Sequence, residues 1–149
     1  MKFLSSLIAQ EFHQRGFQFE LSLTADGYWR LSNHSRGGAR SFDFTLTPAQ
    51  EDLFAAQCHD LQTSQLSPFV MFLVAERFVP QGYEIQVGRV AKTVSAHAVE
   101  KRVLSSADEL VDRLGAVFDL DVPETASLWP RICAQHDQWR QKQKHKKRQ

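Results

Sequence analysis

The spacing of apolar residues changes along the chain, from every second position near the start to every third or fourth position near the end. Residues 17–24 alternate apolar and polar side chains, which predicts a half-buried strand. Asp26-Gly27 is a hairpin turn signal, and residues 28–31 resume the extended pattern. After a polar loop, residues 40–46 alternate again. The first third of the chain is therefore predicted to form antiparallel strands.

The middle of the chain predicts a helix, a loop and a second group of strands. Thr47-Pro48 marks a helix start, because threonine can cap, proline suits the first helical position and Gln50 can complete a capping box. We expect this helix to end near Leu61 and the polar, aperiodic residues 62–68 to form a loop. A mostly apolar run and two spaced glycines then predict two or three further strands.

The last third of the chain predicts two helices. Ser106 and Glu109 form a second capping box ahead of apolar residues at helical spacing, which predicts a helix over residues 105–119. A proline then breaks the chain, and Ser127 can cap a last helix over residues 127–142. We expect that helix to fray into the basic C-terminal tail.

The charge distribution adds one feature to this pattern, a basic end on a mildly acidic body. The 149 residues are 42% apolar with 11 Phe and 3 Trp, enough for a hydrophobic core, and the formal net charge is +1. Six positive charges lie in the last ten residues, so the rest of the chain carries −5. They belong to Arg140, Lys142, Lys144, Lys146, Lys147 and Arg148. Only Trp139 could stack on a base there, so we favour a solvated helix end over binding of RNA or an anionic membrane.

Cysteine usage and the N-terminal pattern indicate the compartment. Cys58 and Cys133 are too few for a disulfide framework, and we expect both to be reduced thiols. Residues 1–4 open like a signal peptide, but two serines interrupt the apolar run and no small-residue cleavage site follows. No stretch approaches the roughly 20 apolar residues of a membrane span. We therefore expect a cytoplasmic protein with no membrane partner.

The residues alone predict neither a catalytic nor a metal site. Cys58-His59-Asp60 contains a nucleophile, a base and an acid, but consecutive helical side chains point about 100° apart and cannot converge on one substrate atom. A zinc site is not favoured, because Cys58 and Cys133 are far apart in sequence and the histidines show no ligand spacing.

A longer pattern runs from about residue 16 to residue 123. Its segments, in order, are Gly27-Tyr28-Trp29-Arg30-Leu31, Phe42-Asp43-Phe44-Thr45-Leu46-Thr47-Pro48 with Asp52, Thr63 with Ser67-Pro68-Phe69, Leu73-Val74-Ala75-Glu76-Arg77, a turn at Gly82, Lys101-Arg102-Val103-Leu104-Ser105-Ser106 with Glu109-Leu110 and Leu114, and Phe118-Asp119-Leu120-Asp121-Val122-Pro123. In this order and spacing the chain resembles the C-terminal half of the arylamine N-acetyltransferases. The closing segment is the most specific part.

The resemblance implies an α+β fold: a curved, mainly antiparallel β-sheet or partial barrel, followed by an α/β lid with C-terminal helices. We divide the chain accordingly into three segments. Residues 1–66 would form part of the barrel with one helix, residues 67–123 the lid segment, and residues 124–149 the C-terminal helix and basic tail.

The resemblance also implies a chemistry that this chain does not complete. Members of the family use a cysteine thiolate, activated by histidine and aspartate, to carry acetyl from acetyl-coenzyme A to an arylamine. These residues lie in the family's N-terminal half, and its Arg-Gly-Gly-x-Cys segment is absent here. We therefore expect a truncated or split relative that is inactive alone and needs a chain supplying the missing half, or self-associates. The alternative is a non-catalytic binding or interaction protein on the same scaffold; an unrelated nucleic-acid-binding β-barrel is the least favoured interpretation.

One binding site follows from the resemblance. In the family, the loop that corresponds to residues 62–68 lies along the coenzyme A cleft, and here it offers the hydroxyl groups of Thr63, Ser64 and Ser67. We predict weak, non-covalent binding of coenzyme A or acetyl-coenzyme A at these residues. The family's asparagine is missing from this loop and its spacing is one residue longer, which weakens the match.

Overall fold

The computed structural model describes residues 9–146, in which the strands form two four-stranded antiparallel sheets. The first sheet contains β1 (Ala9–Gln14), β2 (Phe17–Leu23), β3 (Trp29–Ser32) and β4 (Ser41–Phe44), paired in chain order. The second contains β5 (Val74–Val79), β6 (Gly82–Val87), β7 (Val90–Ser95) and β8 (Val99–Val103), also in chain order. The α+β class and the antiparallel pairing are confirmed. The described strands form no closed barrel and are divided between two separate sheets.

Helices join the two sheets and follow the second one. They are α1 (Glu51–Thr63), α2 (Pro68–Met71), α3 (Ala107–Phe118), a 3-10 helix (Pro123–Leu128) and α4 (Trp129–Lys146). In the part of the chain that the structure describes, no helix combines the length and apolar character that crossing a membrane requires. The expectations for the signal-like residues 1–4 and for Lys147 and Arg148 lie outside the described residues. The division into three segments stays a prediction.

Turn chemistry builds the first sheet. The β2–β3 hairpin predicted at Asp26-Gly27 is confirmed: Gly27 has a φ of +85°, and the Thr24 and Tyr28 backbones are hydrogen-bonded across the turn. Strand β1 was not predicted. It pairs with β2 through a two-residue turn at Arg15-Gly16, where both residues have positive φ, 52° and 81°, as the tightest hairpin turns require.

Helix α3 covers one face of the second sheet and forms the main core with it. The predicted Ser106 cap is confirmed, because its Oγ accepts a hydrogen bond from the backbone N–H of Glu109 at 3.1 Å. The Glu109 carboxylate accepts from the backbone N–H of Ser105 at 2.7 Å instead of that of Ser106, so the capping box is shifted by one residue on this side. The buried core residues are Ala91, Leu104, Leu110, Leu114, Phe118 and Ile132. Truncating a fully buried leucine such as Leu110 to alanine typically costs about 2–5 kcal/mol.

A polar network fixes α3 on that face. The Arg113 guanidinium donates to Glu84 Oε2 at 2.6 Å and to Gln86 Oε1 at 3.0 Å. Gln86 is 0% exposed, and its Nε2 donates to the Gly88 carbonyl at 2.8 Å. Because both the charge and the buried amide have partners, the network orients the helix without leaving an unsatisfied polar group.

An aromatic seam joins the two sheets. Phe17 of β2 is buried against Tyr83 of β6, with ring centroids 5.5 Å apart, and Val94 completes the cluster. The Tyr83 hydroxyl donates to the Arg36 carbonyl at 2.6 Å. The Arg36 guanidinium in turn donates to the carbonyl oxygens of Ala96 and His97 beyond β7. The loop after β3 is thus hydrogen-bonded both to Tyr83 of the second sheet and to the residues that follow β7.

The first helix differs from its prediction at both ends. It begins at Glu51 instead of Thr47, and its N-cap residue Gln50 is extended and makes no side-chain capping bond. The start is instead marked by Glu51 and Asp52, whose carboxylates suit the positive end of a helix dipole. The helix continues to Thr63, and α2 begins at Pro68, so the predicted loop of 62–68 is shorter and precedes a helix.

The C-terminal helix also differs from its prediction. The Ser127 hydroxyl donates to the Glu124 carbonyl within the 3-10 helix and does not cap α4. Helix α4 extends to Lys146, so the basic segment is helical as far as it is described instead of fraying after residue 142. Its last turn contains Lys144, His145 and Lys146, and cations are favoured at the negative end of a helix dipole.

His34 makes the seam between the sheets sensitive to pH. Its ring stacks on Phe17 with centroids 4.1 Å apart, and its Nδ1 accepts a hydrogen bond from the Arg36 backbone at 3.2 Å. Burial, and secondly the Arg36 charge, lower the pKa of His34 below its ordinary value of 6.5. A lowered folded-state pKa gives stability that is present above the unfolded pKa and lost as pH falls through the folded one.

We therefore expect His34→Phe to lose less stability than the unmodified chain when urea unfolding is followed from pH 7.5 down to pH 5. Phenylalanine keeps a ring against Phe17 but does not titrate. The matched control is His59→Phe on the exposed surface of α1, which should keep the original pH profile. An unchanged profile in His34→Phe would contradict this assignment.

Candidate functional site

Two of the three residues predicted to bind coenzyme A lie at the end of α1. Thr63 is the last residue of that helix, and its Oγ1 donates to the His59 carbonyl one turn back at 2.8 Å. Ser64 follows it, and its Oγ accepts a hydrogen bond from the Leu66 backbone at 3.3 Å. The Thr63 side chain is exposed and that of Ser64 is half-buried, on a bend between two helices.

Ser67 has a different environment from the other two. It is only 5% exposed, and its Oγ donates to the Leu61 carbonyl at 2.6 Å while it accepts from the Phe69 backbone at 3.2 Å. It therefore caps α2 and ties that turn to the end of α1. Of the three hydroxyl groups, only that of Ser64 donates no hydrogen bond within the described chain.

A groove of about 300 Å³ lies between α4 and the second sheet, and we call it the α4 groove. Helix α4 contributes Ile132, Gln135, His136 and Trp139, which share one helical face. The Gln135 Nε2 donates to the Met71 carbonyl at 2.9 Å, which holds α4 beside the end of α2. The sheet side contributes apolar and basic side chains from the ends of β6, β7 and β8.

The groove is basic as well as apolar. Arg89, Lys92 and Lys101 line it, and no aspartate or glutamate does so among the described residues. The Arg89 guanidinium donates to the Leu104 carbonyl at 3.2 and 2.9 Å and lies 5.4 Å from the ring centre of Trp129. Burial lowers the pKa of His136, and the charge of Arg89 lowers it further. The groove thus combines positive charge with an apolar lining.

The α4 groove was not predicted from the sequence. Ile132, His136 and Trp139 lie at positions i, i+4 and i+7, which is typical of one helical face. The end of the chain was instead interpreted as a solvated helix end and tail. The approach of Lys92 to Lys101 depends on the register of β7 with β8, which no local pattern determines.

Neither cysteine is part of a catalytic arrangement within residues 9–146. Cys58 is exposed on α1, Cys133 is half-buried on α4, and both thiols are free, with no hydrogen bond to a histidine or carboxylate. In the same residues, no group of three histidine, cysteine, aspartate or glutamate side chains could hold a metal ion.

Comparisons with known proteins relate both the sequence and the fold of this chain to one family. A family model described as N-acetyltransferase matches residues 4–127. The fold is similar to that of the arylamine N-acetyltransferase of Mycobacterium marinum in complex with CoA, with a TM-score of 0.70 and 20% identity over 83% of this chain and 46% of that one. It is also similar to the arylamine N-acetyltransferase of Mycobacterium abscessus, with a TM-score of 0.69 and 17% identity over 85% and 48% of the two chains.

A third similar structure is the arylamine N-acetyltransferase of M. smegmatis, with a TM-score of 0.67 and 20% identity over 83% of this chain and 46% of that one. No curated protein matches the sequence. The chain thus spans less than half the length of these solved structures, which agrees with the resemblance to a C-terminal half. Because the family model covers most of the sequence and the fold agrees with it, this chain belongs to the N-acetyltransferase family.

Proposed function

We propose that this chain is one half of an arylamine N-acetyltransferase-like unit, truncated or split from the half that carries the catalytic cysteine, histidine and aspartate. The unit would transfer acetyl from acetyl-coenzyme A to arylamines. Family membership and the solved relative in complex with CoA support this proposal. Two free cysteines agree with a reducing compartment, and we place the unit in the cytoplasm.

In the proposed chemistry the nucleophile comes from the other half of the unit. A cysteine thiolate attacks the acetyl carbonyl, the bond to the coenzyme A sulfur breaks, and coenzyme A leaves and takes up a proton. The amine nitrogen then attacks the enzyme thioester, loses a proton to the histidine and releases the cysteine. In the described chain neither Cys58 nor Cys133 has a base within hydrogen-bond reach, so this half would contribute binding surface instead of the reacting groups.

The observation that carries the proposal is that helix α1 is left uncovered by the rest of the described chain. This 13-residue helix buries none of its side chains, and it packs substantially against α2 alone. Leu53 and Phe54 are 68% and 58% exposed on it. A helix of this length is marginally stable without tertiary packing, because helix formation has a costly nucleus. An uncovered apolar helix therefore fits a surface that another chain covers.

The apolar exposure extends beyond α1 to its neighbours in the chain. The large apolar residues exposed from β4 to the segment after α2 are Phe42, Leu46, Leu53, Phe54, Leu66, Phe69 and Phe72. Strand β4 is also an edge strand of the first sheet, so its outer backbone groups are available for pairing. We assign this surface to the half that carries the nucleophile; in its absence a second copy of the chain would take its place.

A non-catalytic binding or interaction protein on the same scaffold is the second candidate. The lack of a hydrogen-bonded base at either cysteine favours it. A complementary chain with an Arg-Gly-Gly-x-Cys segment discriminates the two candidates. Restored acetyl transfer on mixing would support the split enzyme, and tight binding without transfer would support the interaction protein.

The first test is activity of the chain alone. We expect no transfer of acetyl from acetyl-coenzyme A to an arylamine above the uncatalysed rate, because neither thiol has an activating partner. Intact mass after incubation with acetyl-coenzyme A should show no acetyl adduct, and Cys58→Ser should behave identically. Rapid thioester formation on Cys58 or Cys133 would overturn the assignment of a missing nucleophile.

The second test concerns the exposed apolar surface. Leu53→Glu with Phe54→Glu should reduce self-association measured by light scattering, with little loss of stability, because neither side chain is buried. The matched control is Gln57→Glu with Gln62→Glu, which adds the same charge to α1 without removing apolar surface. A parent chain that stays monomeric at high concentration and binds no hydrophobic dye would contradict the proposal that another chain covers this surface.

The third test concerns coenzyme A. We expect millimolar affinity, about −4 kcal/mol, with backbone amide shifts centred on residues 62–69. Ser64→Ala should weaken binding more than Thr63→Val, since the Thr63 hydroxyl already donates to His59. Ser67→Ala should instead loosen the bend, and Ser41→Ala on β4 should have no effect. Shifts confined to the basic end of α4 would mean general attraction of phosphate and would exclude this site.

A further inference from the structure

Two lysines face each other in the sheet wall of the α4 groove. Lys92 of β7 and Lys101 of β8 are direct cross-strand partners, so their side chains project from the same face. Like charges directly opposite each other in a sheet are destabilising. Neither lysine forms an ion pair with a described residue. A bound anion would therefore relieve the repulsion between the two lysine ammonium groups.

The nearest acidic residue in the same cross-strand row does not neutralise the pair. Glu76 of β5 faces Ile85 of β6, and Ile85 in turn faces Lys92. Two strand spacings separate Glu76 from Lys92, about 10 Å. Arg89 adds a third positive charge at the end of the groove, where its guanidinium bonds to a carbonyl and forms no ion pair with a described carboxylate.

The remaining walls are suited to an apolar body instead of to water. Val87, Val90 and Ile132 form the floor, and Phe72 and Trp139 stand at the edges. Trp139 is 56% exposed and lies beside the His136 ring, with centroids 5.9 Å apart. A volume of about 300 Å³ is at the lower end of small-molecule pockets.

We propose that the α4 groove binds a small amphipathic organic anion. Its carboxylate or phosphate group lies between Lys92 and Lys101, and its aromatic or aliphatic body lies against Val90, Ile132 and Trp139. The proposal goes beyond acetyl transfer and does not depend on it, because none of these residues belongs to the bend at residues 63–67. It concerns a separate ligand whose chemistry is set by paired cations above an apolar floor.

The test uses the full chain and three probes that share one ring system: 2-naphthoate, 2-naphthyl phosphate and the neutral 2-naphthol. Backbone amide shifts and calorimetry follow each titration. We expect both anions to bind with shifts at residues 88–92, 101 and 132–139, and 2-naphthol to bind at least about tenfold more weakly, since charge-assisted hydrogen bonds are lost. The tighter of the two anions identifies the head group, carboxylate or phosphate ester.

Variants separate the lysine pair from general basic charge. Lys92→Gln with Lys101→Gln should weaken binding of the anions at least about tenfold, whereas Lys142→Gln, which removes a positive charge outside the groove, should change it less than twofold. The double variant should fold at least as stably as the parent chain without ligand, because it removes a facing like-charge pair. A folding defect would therefore contradict the premise instead of obscuring the result.

Two outcomes would overturn the proposal. Equal binding of 2-naphthol and 2-naphthoate would mean that the apolar floor alone attracts the ring. Shifts of amides in α1 and α2 without shifts in β7 and β8 would place the probe on the exposed apolar surface described above. Because the readout is binding and not acetyl transfer, a failure here leaves the proposed function untouched, and an inactive chain leaves the groove untouched.

Discussion

The structure depends on the need to cover a sheet that is apolar on both faces. In the second sheet, side chains alternate between the two faces along each strand. One face contributes Ala91 to the core beneath α3, and the other presents Tyr83 and Val94 to the first sheet. Each face therefore requires a partner element. The positions of α3, of the first sheet and of α4 follow from that requirement.

The two faces are covered unequally. Helix α3 closes its face with a capped start, buried leucines and the Arg113 network, in which Arg113 is hydrogen-bonded to Glu84 and Gln86. The opposite face receives the aromatic seam at one end and, at the other, α4, whose Ile132 also belongs to the core beneath α3. Between and beside these, Val74, Phe78, Val99 and Val103 remain largely exposed. The α4 groove is thus the part of this face that α4 covers only incompletely. Apolar side chains therefore line it beside Lys92 and Lys101.

Local signals account for the elements that were predicted from the sequence. Asp26-Gly27 determines a hairpin through backbone geometry, and α3 starts through two hydrogen bonds of Glu109, one with the Ser106 hydroxyl and one with the Ser105 backbone. Both act over a few residues, so they can be recognised without knowing the fold.

The features that were missed depend on contacts between distant residues. The division into two sheets is set where Phe17 meets Tyr83, 66 positions later in the chain, and the facing lysines exist only in the register that joins β7 to β8. The predicted binding residues show the same limit. The family resemblance points to the hydroxyl groups of Thr63, Ser64 and Ser67, but only their hydrogen bonds distinguish a residue that holds the bend from one that can donate to a ligand.

The bend at residues 63–67 depends on the uncovered helix α1. The bend is held by the Ser67 bond to Leu61 in the last turn of α1, and α1 itself is supported substantially by α2 alone. A ligand that needs the formed bend binds in proportion to the fraction of chains in which α1 is formed. Covering the apolar side of α1 raises that fraction without adding any contact to the ligand. In the proposed unit, the half that carries the nucleophile would therefore strengthen coenzyme A binding on this half by stabilising α1, and coenzyme A would by the same linkage strengthen the association of the two halves.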